Sequence, residues 1–182
     1  MLVTDDMRSF LTAIRAEPSD RLTYGAFADW LDDRDDRDDR DDPDRAAAVR
    51  DAVFPEQVFA LFPLSVMKLE SLPALETEPD PLSTRVVRLQ LTDGCGLPSV
   101  RIAGRCQVMR AGAFVEHATD STVRLRRAAT PLDVTWFNLQ SRGVMEWVGD
   151  GAPLYFPDGI DVYADAPVTM TLWLEPLPDT TP

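Results

Sequence analysis

The sequence predicts an α+β chain: a small N-terminal helical unit followed by an antiparallel β-sandwich or jelly-roll-like domain. Three observations carry that prediction. Apolar residues recur at i, i+3, i+4 and i+7 in the first third of the chain, and from residue 83 onward the period falls to two. The later apolar runs are parted at near-regular intervals by Asp-Gly, Ala-Gly, Arg-Gly, Gly-Asp-Gly and Pro-Asp-Gly turn signals. The 182 residues, 45% of them hydrophobic, suffice for one sizeable core with a small satellite unit.

Met7, Phe10, Leu11 and Ile14 form the apolar stripe of a first helix, with Thr4 or Asp5 as its cap and Pro18 as its stop. A second helix follows Ser19-Asp20, where Tyr24, Phe27, Ala28 and Leu31 repeat the spacing and Trp30 widens the stripe. A third begins at Asp42 as N-cap with Pro43 at its first position, and Ala46, Val49 and Val53 lie on one side before Pro55 interrupts. One more helical turn is predicted in "PEQVFALF". These elements define a helical unit over residues 1–62.

Phe10, Leu11, Ile14, Pro18, Ala28, Asp29, Trp30, Leu31, Asp42, Pro43 and Arg50 fall on a pattern: F-L-x-x-I-x-x-x-P, twelve residues to the tryptophan of A-D-W-L, an acidic-basic turn, D-P, and a helix ending in arginine. Residues 7–50 thereby resemble the small bacterial repeat-companion domain. The resemblance implies a helical unit that often precedes leucine-rich repeats, and it carries no activity. Two departures stand out: the turn is lengthened by extra Asp-Asp-Arg units, and no leucine-rich repeat follows. Phe10, Ile14, Asp29, Trp30 and Leu31 are expected to be structural, with Asp29 serving as a cap or an arginine partner.

The turn, residues 32–44, holds nine aspartates and three arginines. A surface loop tolerates such duplication because each doubling of its length costs only about 0.6 kcal/mol of closure entropy. Aspartate is a poor helix-interior residue and like charges recur at i, i+3, so a solvated loop is expected. A calcium loop fails on register: starting at Asp32 puts Arg34 at ligand position 3, and starting at Asp33 puts Arg37 at position 5.

Residues 63–82 are expected to be a Pro-rich acidic connection, the β-domain to span 83–176, and 177–182 to be a flexible tail. Val87, Leu89 and Leu91 alternate with polar residues, as do Val123 and Leu125, and Val168, Met170, Leu172 and Leu174. Further strands are predicted in "SVRIA", "RCQVMR", "AFVEHA", "LDVTWFNLQ", "GVMEWV" and "GIDVYA", about eight in all.

Charge narrows the function. The net charge of -13 argues against nucleic acid and anionic membrane, which are bound by neutralising lysines and arginines. The opening "MLVTDDMRSF" lacks the features of a signal peptide, and the longest apolar run, "VFALFPLSVM", is short and holds a proline, so a soluble cytoplasmic protein is expected. Cys95 and Cys106 flank a Gly-Leu-Pro turn and could face each other across a hairpin; reduced thiols are the expectation without an export signal.

Residues 83–142 carry nine arginines and four acids, whereas 143–182 carry seven acids and no base. Arg88, Arg124 and Arg126 stand opposite the apolar strand positions, which suggests a basic outer sheet face. Such arginines either pair with the chain's own acids or dock an acidic partner surface, the Asp-Asp-Arg loop of a second copy included. The aromatic loop 154–163, with Tyr155, Phe156 and Asp158, is the other expected contact, alongside an edge strand.

No catalytic motif, glycine-rich phosphate loop, metal-ligand spacing or cofactor signature is present. The expectation is a non-catalytic protein-protein interaction or assembly module, self-association included, with no cofactor and no metal. The alternative is a small hydrolase or ligand-binding sandwich with a site near Glu116-His117 and Asp158.

Overall fold

The computed structural model describes residues 3–33, 42–75, 84–93, 96–149 and 152–178. The chain is α+β and divides into two compact units, residues 1–62 and 63–182. Most of the Asp-Asp-Arg loop lies outside the described residues.

The helical unit is built from α1 (Asp5–Ala16), α2 (Arg21–Asp32), α3 (Asp42–Asp51) and the short α4 (Pro55–Phe59). Thr4 caps α1, its side chain accepting from the Met7 amide, and Asp5 and Asp6 place negative charge against the positive end of the helix dipole. Asp20 caps α2, accepting from the Leu22 amide at 3.1 Å and the Thr23 hydroxyl at 2.6 Å. Those bonds hold its carboxyl below the usual value, Thr23 contributing most. Most of the predicted stripes are buried, Met7, Leu11 and Ile14 from α1 and Tyr24, Phe27, Ala28 and Leu31 from α2, whereas Phe10 and Trp30 are only half-buried. Rings fill the space between the helices. Phe27 lies 5.0 Å from Phe10, 5.2 Å from Phe62 and 6.1 Å from Trp30, centroid to centroid, near the spacing at which aromatic pairs attract.

One residue of the third stripe departs from expectation. Ala46 and Val49 are buried, but α3 ends at Asp51 and Val53 is 57% exposed, its place inside taken by Ala52. Arg21 reaches across to the Ala52 and Val53 carbonyls and so satisfies the C-terminal end of α3. The Gln57 side chain accepts from the Val53 and Phe54 amides at 2.7 and 2.8 Å, which tightens the entry to α4.

The β-unit holds ten strands among the described residues: β1 (Val66–Lys68), β2 (Arg85–Leu91), β3 (Val100–Ala103), β4 (Cys106–Phe114), β5 (Ser121–Arg127), β6 (Asp133–Leu139), β7 (Val144–Val148), β8 (Leu154–Phe156), β9 (Gly159–Ala164) and β10 (Val168–Pro176). One sheet runs β1-β3-β9-β5-β6 and the other β2-β10-β4-β7, with β8 also paired to β4. All pairings are antiparallel except β1 with β3. The alternation that marked β2, β5 and β10 sends Val87, Leu89, Val123, Leu125, Met170 and Leu172 into one apolar core shared by both sheets.

Three expectations are corrected. Residues 63–75 are not bare connection: they carry β1 and a 3₁₀ turn at Leu69–Ser71, and Leu69 and Leu72 enter the core. The acidic remainder, 76–82, lies outside the described residues. Second, Cys106–Arg110 of "RCQVMR" and Ala113-Phe114 of "AFVEHA" belong to the single strand β4, which runs through Ala111-Gly112 rather than turning there and ends before Val115. Gly112 stays extended because the Trp173 ring covers it, one ring carbon 3.7 Å from where a Cβ would stand. Third, Leu177 and Pro178 are not loose. The Leu177 amide donates to the Arg105 carbonyl and the Arg105 guanidinium donates to the Pro178 carbonyl; the rest of the expected tail lies outside the described residues.

Candidate functional site

The three arginines expected on one basic face do not share one. Arg88 belongs to β2 and stands on the outside of the second sheet, while Arg124 and Arg126 belong to β5 in the first. Outer faces of a sandwich point in opposite directions, and alternation distinguishes inside from outside without telling which sheet a strand joins. Arg124 is exposed, beside Trp136, its partner in the β5–β6 register, which is 61% exposed. Arg126 is only 8% exposed.

Arg126 is held in a row of alternating charge that crosses four strands: Arg101 on β3, Asp161 on β9, Arg126 on β5 and Asp133 on β6 are successive register partners. Asp161, fully buried, accepts from the Arg101 Nε and Nη2 at 2.6 Å each and from the Ala129 amide at 3.0 Å. Arg126 donates to Asp133 and lies with its Cζ 4.5 Å from the Tyr163 ring centre. Burial pushes the Asp161 carboxyl up, against the pull of Arg101. It pushes the Tyr163 phenol up as well; that hydroxyl is buried beside the Arg126 guanidinium without a hydrogen bond of normal geometry. Ala129 adopts the left-handed region, φ 56°, and its amide is fixed there by Asp161. The row is a satisfied structural element, its central carboxylate closed to any substrate.

The aromatic loop is also corrected. Phe156 is fully buried, because β8 lies against the start of β4 with Phe156 opposite Cys106. Residues 159–164 form β9 and are all buried rather than looped out. Tyr155 is 39% exposed with the Arg105 guanidinium above its ring, and Asp158 is exposed at the turn into β9. That turn needs its glycine: Gly159 has φ +112°, and a Cβ there would stand 2.3 Å from the Ile102 carbonyl oxygen.

Glu116, His117 and Asp158 do not converge. Glu116-His117 follow the end of β4, whereas Asp158 lies two residues beyond Phe156, which faces the start of that strand. Nine residues of β4 at about 3.3 Å per residue put the two ends about 25 Å apart. Glu116 and His117 are both exposed. Cys106 is buried and unpaired, and burial pushes its thiol up to about 12, far from a nucleophilic thiolate; Cys95 lies outside the described residues. Among the described residues no three His, Cys, Asp or Glu side chains are grouped to hold a metal ion, and no helix is long and apolar enough to cross a membrane.

What the structure assembles instead is the outer face of the second sheet. Register places Arg88, Thr171, Gly112 and Glu146 in one row across β2, β10, β4 and β7. Gln90, Thr169, Phe114 and Val144 form the row on one side, and Val86, Trp173, Arg110 and Val148 the row on the other. Small residues at Thr171 and Gly112 leave a groove of about 240 Å³ between the Trp173 and Phe114 walls. The Arg110 guanidinium lies 4.7 Å from the Trp173 ring centre and pairs with Glu146. Phe114, Val144 and Val148 are 38%, 77% and 49% exposed.

Sequence reading missed this face, although a signal was there. The polar side of β10 reads Thr169, Thr171, Trp173, which sets a large ring among threonines on the side of the strand away from the core. The helical unit has a wider groove of about 580 Å³ between α1 and α2, walled by Phe10, Ala13, Ala26 and Trp30.

No family model matches the chain, and no curated protein matches it. Among solved structures, it is similar to Streptomyces albus HEPD with substrate 2-hydroxyethylphosphonate and Fe(II) bound, at 15% identity and a TM-score of 0.29. The match covers 96% of this chain and spans 42% of that one. A likeness that loose carries no argument about fold or function.

Proposed function

We propose that the chain is a non-catalytic protein-protein interaction module, with a helical unit of the repeat-companion kind, whose contact surface is the outer face of the second sheet together with its β7 edge. One observation carries the reading: Phe114, Val144 and Val148 are exposed around a groove that already holds two arginines, a tryptophan and a glutamate. Arginine and tryptophan are the side chains most often found at the energetic centre of protein interfaces. Clustered exposed apolar groups at a sheet margin favour a protein occupant. In the charge row of the first sheet the central Asp161 is fully buried and offers no comparable opening.

The test compares full-length variants in affinity capture. Phe114→Glu and Val144→Glu place charge on the face without touching the core, and each is expected to abolish retention of the partner. Trp136→Ala, on the first sheet, is expected to retain it. Capture that survives both glutamate substitutions, or fails equally with Trp136→Ala, removes the second sheet as the contact surface.

A further inference from the structure

We infer that β7 receives an extended strand of a different protein whose outward residues run apolar, basic, apolar, the basic one standing opposite Glu146. The inference rests on the second sheet being the contact surface and names what lies along its edge.

β7 is the last strand in the order β2-β10-β4-β7. The Gly143 carbonyl accepts from Val115 and the Gly149 amide donates to Met109, so the odd-numbered residues of this stretch bond to β4. The N–H and C=O groups of Val144, Glu146 and Val148 therefore point away from it. Among the described residues nothing in the hydrogen-bond network meets them. Such a row is a ready template for another strand: β7 has no proline, no lysine and no bulge, and its single charge, Glu146, limits which strands can pair with it.

Side chains then set the register. A strand paired with β7 puts its outward residues about 4.5–5.5 Å, Cβ to Cβ, from Val144, Glu146 and Val148. Val144 and Val148 are exposed and gain cover from apolar neighbours. Glu146 gives one carboxylate oxygen to Arg110, and its side chain is still 53% exposed, so the carboxylate has room for a second cation. The choice of a basic residue rests on Glu146 itself, since the groove beside it already holds Arg88 and Arg110. A second copy paired in the fully overlapping register is disfavoured: two-fold pairing of β7 about its centre sets Glu146 against Glu146, and like charges directly opposite destabilise a sheet.

Two synthetic peptides, Val-Thr-Arg-Thr-Val and Val-Thr-Glu-Thr-Val, acetylated and amidated, are titrated to millimolar concentration into the isotope-labelled full-length chain. The arginine peptide is expected to shift the amide resonances of Val144, Glu146 and Val148 and slow their hydrogen exchange. The glutamate peptide is expected to bind about tenfold more weakly. Glu146→Arg is expected to reverse that preference. Equal binding of both peptides, protection at a different edge, or no response at β7 overturns the inference. If β7 does not respond while Phe114→Glu still abolishes partner capture, the contact surface stands and the added strand falls; if both fail, the surface reading falls too.

Discussion

The two units solve the same problem with different materials. The helical unit concentrates its cohesion in rings: Phe27 is fully buried and touches Phe10, Trp30 and Phe62. Its named ion pairs stay at the rim, where Arg50 forks between Asp29 and Asp32 at 2.7 and 2.6 Å. The β-unit spreads its apolar contacts over many aliphatic residues and buries a charge row instead. A short helix cannot hide its stripe without large side chains, whereas each strand delivers every second residue to a shared core. Vulnerability should therefore be focused in one unit and distributed in the other, apart from the row.

Phe27→Ala should have the largest effect, about 3–5 kcal/mol. Peptide-resolved hydrogen exchange should show the loss of protection across α1 and α2. Retained protection there would mean that the rings are less central than their contacts indicate. Asp161→Ala comes next. It removes the fully buried carboxylate that accepts from the Arg101 Nε and Nη2 and from the Ala129 amide, and removing one member of such a pair costs about 3 kcal/mol. Asp161→Asn, which keeps an acceptor for Arg101 or Ala129, should cost less, and chemical denaturation ranks the two. Leu89→Ala, one aliphatic residue among many, should cost about 2 kcal/mol in the same assay.

A smaller effect belongs to pH. Burial raises the Cys106 thiol from its ordinary 9.0 to about 12. For an acid raised on folding, the stability it contributes is whole below the unfolded value and is lost as pH climbs through the folded one. Between about pH 9 and 12 the slope should approach, and not exceed, about 1.4 kcal/mol per pH unit. Urea midpoints measured from pH 8 to 10.5 should fall more steeply for the native chain than for Cys106→Ala; parallel curves would show the thiol to be less enclosed than its packing indicates. Smallest of all is Arg50→Ala. Its partners are exposed, so solvent screens the fork and the unfolding midpoint should not measurably move.

Much of the helical unit was legible because helix signals are local. Thr4, Asp20 and the i, i+3, i+4 stripes act within a few residues of one another, and α1 and α2 follow from them directly. β2, β5 and β10 were legible for a similar reason, their alternation being uninterrupted. β1 was hidden because three residues are too short to show a period. β4 was split in reading because the covering of Gly112 comes from Trp173, sixty-one residues away in sequence. The candidate surface was less legible still. Assigning Arg88 and Arg126 to one face required knowing which sheet each strand joins, and that is decided by pairings between distant segments. A lone Asp161 inside "GIDVYA" was a legible hint of a buried partner, yet nothing local pointed to Arg101.

The row from Arg101 to Asp133 has a consequence for how the β-unit comes together. Its members are contributed by segments up to sixty residues apart, and a slip of one position in β5 would turn Arg126 toward the apolar interior. Misaligned assemblies therefore strand an ion where none can be tolerated, while the correct alignment neutralises all four charges at once. The row thus sets the observed register of β3, β9, β5 and β6 apart from slipped ones by the charges it matches.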